Sequence, residues 1–330
     1  MFQKIGFPHT SEGFAKMFKV VCVISLACVI GQVALGGIVR VTESGLGCPD
    51  WPLCFGQIIP PFEFASLIEY SHRLLATLVG FFVLAMTLMS WLFYRGNLGV
   101  VVSSTVALVL VVVAALLGAL AVVTELDRWV VTLHLGIAEL VAACVLVTTV
   151  TCWRFNVVVI EGKCCAENHF RSKGLVVLTA ASVFILIVSG SHMVGLGYGS
   201  LCATWPLCGG SLFPSLEPSM VHMSHRLIAA VVALFIALMM VEAWFAKIRH
   251  PEIWNGTLLV VVVFFAQIMV GAFVIWSDFV ISLRSIHLVV ATLVWVSIVY
   301  LMLLIVTLNC PYSDRKSKFT SVLKGQGCVQ

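Results

Sequence analysis

The chain has 330 residues, of which 61% are hydrophobic and only 10% charged, and its formal net charge is +4. A soluble domain carries roughly 25% charged residues, so too little polar side chain is present to cover a water-facing surface. A cytosolic enzyme, a disordered protein and a nucleic-acid binder are excluded, and the class is a polytopic membrane protein lodged in a lipid bilayer.

In chain order, apolar runs of about 20 residues, the length that crosses roughly 30 Å of hydrocarbon, fall at 20–39, 72–94, 100–123, 130–153, 175–193, 225–245, 257–276 and 285–309. Each is expected to be a helix, because lipid offers no partner to an unpaired backbone group. The first run is too long for the apolar region of a signal peptide, so no cleavage is expected. Lys and Arg set the orientation. With the N-terminus inside, fourteen of them lie on the inner side. Five lie on the outer side: Arg40, Arg73, Arg128, Arg226 and Arg284. Both termini are therefore expected in the cytoplasm. The N-terminal segment lacks the long Arg- and Ser-rich extension of a mitochondrial transit peptide, which points to a bacterial inner membrane.

Three islands recur at an offset of 153 to 154 residues. Cys48-Pro-Asp-Trp-Pro-Leu-Cys54 answers to Cys202-Ala-Thr-Trp-Pro-Leu-Cys208. Ser66-Leu-Ile-Glu-Tyr-Ser-His72-Arg-Leu answers to Ser219-Met-Val-His-Met-Ser-His225-Arg-Leu. Gly118-Ala through Leu133-His134 answers to Gly271-Ala through Ile286-His287, and Gly36 pairs with Gly190. Each repeat holds four spans, an even number, so the halves share one orientation about a pseudo-two-fold axis along the membrane normal. The expected fold is all-α, with eight transmembrane helices in two pseudo-symmetric four-helix bundles. The organisation is a cytoplasmic segment 1–19, an N-terminal half 20–153, a linker 154–174, a C-terminal half 175–309 and a cytoplasmic tail 310–330.

His72, His134, His225 and His287 fall at the outer ends of the even-numbered spans, which all run from outside to inside. His72 can then face His134, and His225 can face His287. Two imidazoles across a bundle are a common way to hold haem iron, and the positive helix N-terminus favours the neutral, ligating form. Spacing alone leaves another metal, or plain hydrogen-bonding histidines, open. Arg73 and Arg226 each follow a histidine at the membrane edge, where they can pair with haem propionates or snorkel to headgroups. Glu69 lies three residues before His72, on the same face if the helix starts at Ser66. Ser66-Leu-Ile-Glu69 also reads as a capping box. The second half keeps the serine and the histidine but has His222 in place of Glu69, an asymmetry that favours catalysis over capping.

Cys48–Cys54 and Cys202–Cys208 are expected to be disulfides in the oxidising outer loops, with a metal site or thiol exchange as the other readings. Cys22, Cys28, Cys144 and Cys152 lie within spans and read as packing. Cys164, Cys165, Cys310 and Cys328 fall on the cytoplasmic side and read as reduced. Glu139 is a candidate polar lining of the fourth span. His192, opposite Ile38 in the repeat, reads as interfacial.

The stretch Val39-Arg-Val-Thr-Glu-Ser-Gly-Leu-Gly-Cys-Pro-Asp-Trp-Pro-Leu-Cys54, followed by Glu69-Tyr-Ser-His-Arg73 and the repeated histidines, resembles the haem A synthase family over nearly the whole chain. The second loop, Gly195-Leu-Gly-Tyr-Gly-Ser-Leu-Cys202, keeps only part of that pattern. The resemblance implies oxidation of the C8 methyl group of haem O to a formyl group, giving haem A for cytochrome oxidase with oxygen from water. It implies that His225 and His287 hold a resident haem B, that His72 and His134 face the haem O substrate, and that Glu69 is the catalytic carboxylate. The implied partners are a haem O synthase (a farnesyltransferase), cytochrome oxidase assembly factors and an electron acceptor of unknown identity, with a homo-oligomer compatible. Two other classes stay open on the residues alone. One is a di-haem b-type electron-transfer cytochrome, which leaves the asymmetric Glu69 unexplained. The other is a repeat-built transporter, for which the spans lack mid-membrane breaks.

Overall fold

The structure is a computed structural model that describes residues 12–161, 173–248 and 250–308. Eight helices account for the described fold. They are α1 (Glu12–Val41), α2 (Phe64–Phe93), α3 (Leu98–Val123), α4 (Arg128–Glu161), α5 (Lys173–Gly195), α6 (Glu217–Ala246), α7 (Pro251–Trp276) and α8 (Ile281–Leu308). All eight are long and apolar enough to cross a membrane. Cys164, Cys165, Cys310, Cys328 and most of the segments 1–19, 154–174 and 310–330 lie outside the described residues.

Every helix begins before its apolar stretch, by eight residues in α1, α2 and α6. α2 begins at Phe64 and α6 at Glu217, eight residues before His72 and His225. At 1.5 Å per residue these histidines lie about 12 Å inside their helices, and His134 and His287 about 9 Å inside theirs. The helix-terminal field fades within the first turn, so it does not set the state of these imidazoles as the sequence suggested. The capping box also fails. The N-cap of α2 is Glu63, without a side-chain cap bond. Ser66 is buried one turn inside, and its hydroxyl donates to the Gly47 carbonyl at 2.7 Å.

Helices α1–α4 pack in sequence and close into a ring through α1 against α4. Helices α5–α8 do the same through α5 against α8. The halves join along α1–α8, α4–α5 and α4–α8. Burial follows this plan: 56% of the α8 span and 39% of the α4 span are buried, against 17% of α3 at the rim. Each half has its own apolar core. One gathers Phe18, Met86, Val100 and Val145, and the other Val183, Ile236, Phe264 and Ile298. Because lipid is as apolar as the core, polar bonds between helices supplement close packing. Ser90 pairs with Ser104 and Ser103 with Thr148, each at 2.7 Å, tying α3 to both neighbours.

Glu139 lies on the seam between halves and not in a lining. Its Oε1 accepts from the Thr292 hydroxyl at 2.7 Å, and its backbone carbonyl accepts from the Trp295 indole at 2.7 Å. Glu139 and Thr292 are 153 positions apart, the repeat offset itself, so matched positions of the two halves touch, as residues near a two-fold axis must.

Candidate haem-binding sites

The two disulfide loops share one local fold. Cys48 bonds Cys54 and Cys202 bonds Cys208, and each loop closes with an antiparallel bridge, Cys54 to Gln57 and Cys208 to Ser211. The turn inside each bridge has two left-handed residues, Phe55-Gly56 and Gly209-Gly210. That is the pattern of a tight primed turn, in which glycine is favoured. Phe55 is tolerated because the carboxylate of Asp50 accepts from the N–H groups of Phe55 at 2.6 Å and Gly56 at 2.7 Å. These bonds, with Gly56 foremost, hold the Asp50 carboxyl below the usual carboxylate range. Thr204, the matched residue, accepts from Gly209 N–H at 2.8 Å in the second loop.

Arg73 and Arg226 fasten these loops to the bundles. Arg73 Nη1 donates to the carbonyls of Asp50 (2.6 Å) and Leu53 (2.7 Å), and Nη2 to that of Cys48 (3.1 Å). Arg226 repeats the arrangement on Thr204 (2.7 Å), Pro206 (3.0 Å) and Cys202 (3.3 Å). The sequence offers both guanidiniums a propionate or the lipid headgroups as partner. In the structure their donors are taken up by loop carbonyls, which no sequence pattern reveals. Glu69 is buried at 6% exposure, and its Oε1 accepts from Arg73 Nε at 3.0 Å. Its Oε2 has no protein partner among the described residues. The carboxyl is therefore anchored by one oxygen, through the same arginine that fastens the loop.

The four histidines lie two to each half. His72 and His134 lie within Coulombic reach of each other, as do His225 and His287. Each ring rests on a glycine of the preceding helix. A Cβ added at Gly36 would stand 3.0 Å from Cε1 of His72, at Gly118 3.3 Å from His134, at Gly190 2.9 Å from His225, and at Gly271 3.1 Å from His287. The repeated glycines thus have a use that the sequence did not disclose: each leaves room for the Cε1 edge of an imidazole against the neighbouring backbone.

Hydrogen bonds fix two of the tautomers. His134 Nδ1 is 2.9 Å from the Ala114 carbonyl, which can only accept, so Nδ1 carries the proton and Nε2 keeps its lone pair. His225 Nδ1 is 3.0 Å from the Ser189 hydroxyl. That hydroxyl already donates to the Leu186 carbonyl at 2.8 Å, so it accepts from Nδ1–H, and His225 Nε2 likewise keeps its lone pair. This is the outer-shell arrangement of a metal-ligating histidine. Gln32 reaches both ring nitrogens of His72 (3.1 and 3.2 Å), and Gln267 reaches Nε2 of His287 (3.2 Å). Their buried Oε1 atoms have no partner, nor does His287 Nδ1. A half-turn of either amide would set Oε1 to accept a ring N–H, since the two orientations differ only by assignment.

A cavity of about 490 Å³ opens in the C-terminal half, within the size range of small-molecule sites. His222, His225, Arg226 and His287 line it, as do Arg40 from α1 and Arg284 from α8. The remaining wall is largely aliphatic, and no Asp or Glu is among the lining residues. His225 with a free Nε2, His287 within electrostatic reach of it, an apolar slot and a cationic rim fit a haem. No group of three or more His, Cys, Asp or Glu suited to a single metal ion occurs among the described residues. His192 packs against Trp129, with ring centroids 4.2 Å apart and the rings tilted by 32°.

Comparison with known proteins agrees with this geometry. The chain is 28% identical over 298 residues to a protein of Alkalihalophilus pseudofirmus named Heme A synthase, covering 88% of this chain and 98% of that one. Proteins of the same name from Geobacillus kaustophilus (29% over 274 residues, 82% and 85% coverage) and Halalkalibacterium halodurans (27% over 299 residues, 88% and 96%) are similar to it as well. The profile of the COX15-CtaA family, described as cytochrome oxidase assembly protein, matches residues 19–67 and 61–299. With nearly the whole membrane domain matched, the chain belongs to the COX15-CtaA family of cytochrome oxidase assembly proteins.

Proposed function

We propose that the protein is a haem A synthase, an oxidoreductase that converts the C8 methyl group of haem O to a formyl group in a bacterial inner membrane. The observation that carries this reading is the pair of unlike histidine sites in one duplicated frame. One has a buried carboxyl one turn from a ligand (Glu69 beside His72), and the other has His222 at the matched position. Resemblance to proteins named for the same activity supports it.

The overall change adds one water to the methyl group and releases four protons and four electrons, in two two-electron steps through a hydroxymethyl stage. His72 and His134 would hold the iron of the substrate. Electron removal leaves the methyl carbon cationic. Glu69, anchored at Oε1 by Arg73, would present Oε2 to stabilise that carbon and to take a proton from the attacking water. His225 and His287 would hold a resident haem B, which supplies one-electron transfer toward an external acceptor when bound. Ser189 sets His225 as the ligating tautomer, and the aliphatic wall keeps water from the iron ligands. The loops would lie on the outer side with both termini in the cytoplasm. The N-terminal half would be the substrate unit and the C-terminal half the haem B unit. A haem O synthase would supply the substrate, and oxidase assembly factors would receive the product.

A di-haem electron-transfer cytochrome is the second reading, because the Glu69–Arg73 pair gives Glu69 a purely structural use. Expression in a host that makes haem O but not haem A decides between them. Haem A in the extracted pigment is expected; haem O alone, with the protein present and loaded, would reject the synthase.

A further inference from the structure

The Arg40 and Arg284 side chains have no hydrogen-bond or ion-pair partner among the described residues. Both are half-buried, both line the C-terminal cavity, and they lie within electrostatic reach of each other. Arg40 is in the last turn of α1, and Arg284 in the first turn of α8. The helices approach closely just below: a Cβ at Gly37 of α1 would overlap Leu288 of α8. Two unrelieved like charges beside an apolar slot are costly unless an anion joins them. The cavity has no carboxylate of its own, and Arg226 is committed to loop carbonyls.

Position narrows the ligand. Arg284 precedes His287 by three residues, which puts it on nearly the same helix face and about 4.5 Å nearer the loop end. An anion between the two arginines therefore sits one turn above the ligating imidazoles, at the mouth of the slot. Neither arginine belongs to the repeat: Val194 and Val131 occupy the matched positions. The cationic pair is thus an addition specific to this half.

We infer that Arg40 and Arg284 form a carboxylate clamp for the propionates of the porphyrin held by His225 and His287, contributed from the two helices where the halves meet. This rests on the haem assignment proposed above. The clamp makes the C-terminal site complete only when α1 of the other half is docked, and it selects a diacid porphyrin.

The test uses protein expressed under haem limitation and titrated with haem B or with its dimethyl ester. The readout is the low-spin absorption of bis-imidazole iron. Native protein is expected to give that spectrum with both, and to bind the diacid tighter by roughly tenfold or more, the scale of a charge-assisted pair. In Arg40→Gln/Arg284→Gln the diacid should fall to within about threefold of the ester, with ester affinity unchanged. Equal binding of diacid and ester by native protein overturns the clamp. So does a double variant that keeps the preference, including one that instead loses co-purifying phospholipid phosphate, which would make the pair a headgroup site. The native comparison needs no substitution, so it decides even if the variant fails to fold. Absence of a low-spin spectrum with either compound rejects the haem assignment itself, a different result from loss of discrimination.

Discussion

Replacing Gly190 with alanine tests the packing of the resident site most directly. The added Cβ would lie 2.9 Å from Cε1 of His225, about half an ångström inside ordinary contact. The ring cannot swing away freely, because its Nδ1 is held by Ser189 and its Nε2 would be held by iron. Overpacking of this kind costs typically 1–3 kcal/mol, or roughly five- to 150-fold in haem affinity at 1.4 kcal/mol per decade. The backbone effect runs the other way, since Gly→Ala inside a helix gains about 1 kcal/mol. The variant is therefore expected to stay folded, with unchanged helix content and lowered haem occupancy or a shift from low- to high-spin iron. Absorption and paramagnetic-resonance spectra of the purified protein measure this. The same change at Gly118 would place its Cβ at 3.3 Å from His134, which small shifts absorb, so that variant should be the mildest of the four. Full haem content and an unaltered low-spin spectrum in Gly190→Ala would refute the reasoning.

Glu69→Gln keeps the size and one hydrogen-bonding oxygen but removes the charge; it should retain resident haem while haem A is lost and haem O or the hydroxymethyl form accumulates. Normal haem A at matched protein level would return Glu69 to a structural partner of Arg73. Ser189→Ala removes the acceptor that fixes the His225 tautomer, and should weaken haem binding about 10- to 100-fold, read by reconstitution, with haem A formation falling in proportion to occupancy. The first loop should be insensitive to pH until strongly acid conditions. The Asp50 carboxyl is depressed in the folded protein, so its contribution is complete above the unfolded value near 3.9 and disappears as pH falls through the lower folded value. Proteolytic protection of the loop should therefore hold from pH 7 to about 5, and loss of protection between those values would count against it.

The spans and the histidine pairs were legible because both leave a one-dimensional trace: long apolar runs, and islands repeating at a single offset. The starts of α2 and α6 were not, because these helices continue beyond the apolar stretch through Glu69 and His222, residues that a hydropathy pattern assigns to a loop. That error displaced Ser66 from inside the helix to its cap. The carbonyl partners of Arg73 are not legible in the sequence, since those of Cys48, Asp50 and Leu53 converge on it only after the loop has folded. Arg40 and Arg284 carried no signal beyond charge. They come from spans 244 residues apart in the chain, and the first belongs to the opposite half. The glycines showed the reverse case: their repetition was visible, but their reason was a contact with an aromatic ring on another helix.

The Glu139–Thr292 bond bears on how such a protein can arise. In a symmetric homodimer of one half, a residue at the two-fold axis meets an identical copy of itself. Two carboxylates would repel there, and a carboxylate–hydroxyl pair could not be encoded at all. Joining the copies in one chain lifts that restriction, because the two positions can then mutate separately. The bond is one that a chain carrying both halves can encode and a symmetric homodimer of one half cannot. An attempt to express the halves as separate, self-associating chains would set Glu139 against Glu139 or Thr292 against Thr292, so the correct pairing of unlike halves should prevail over either homodimer.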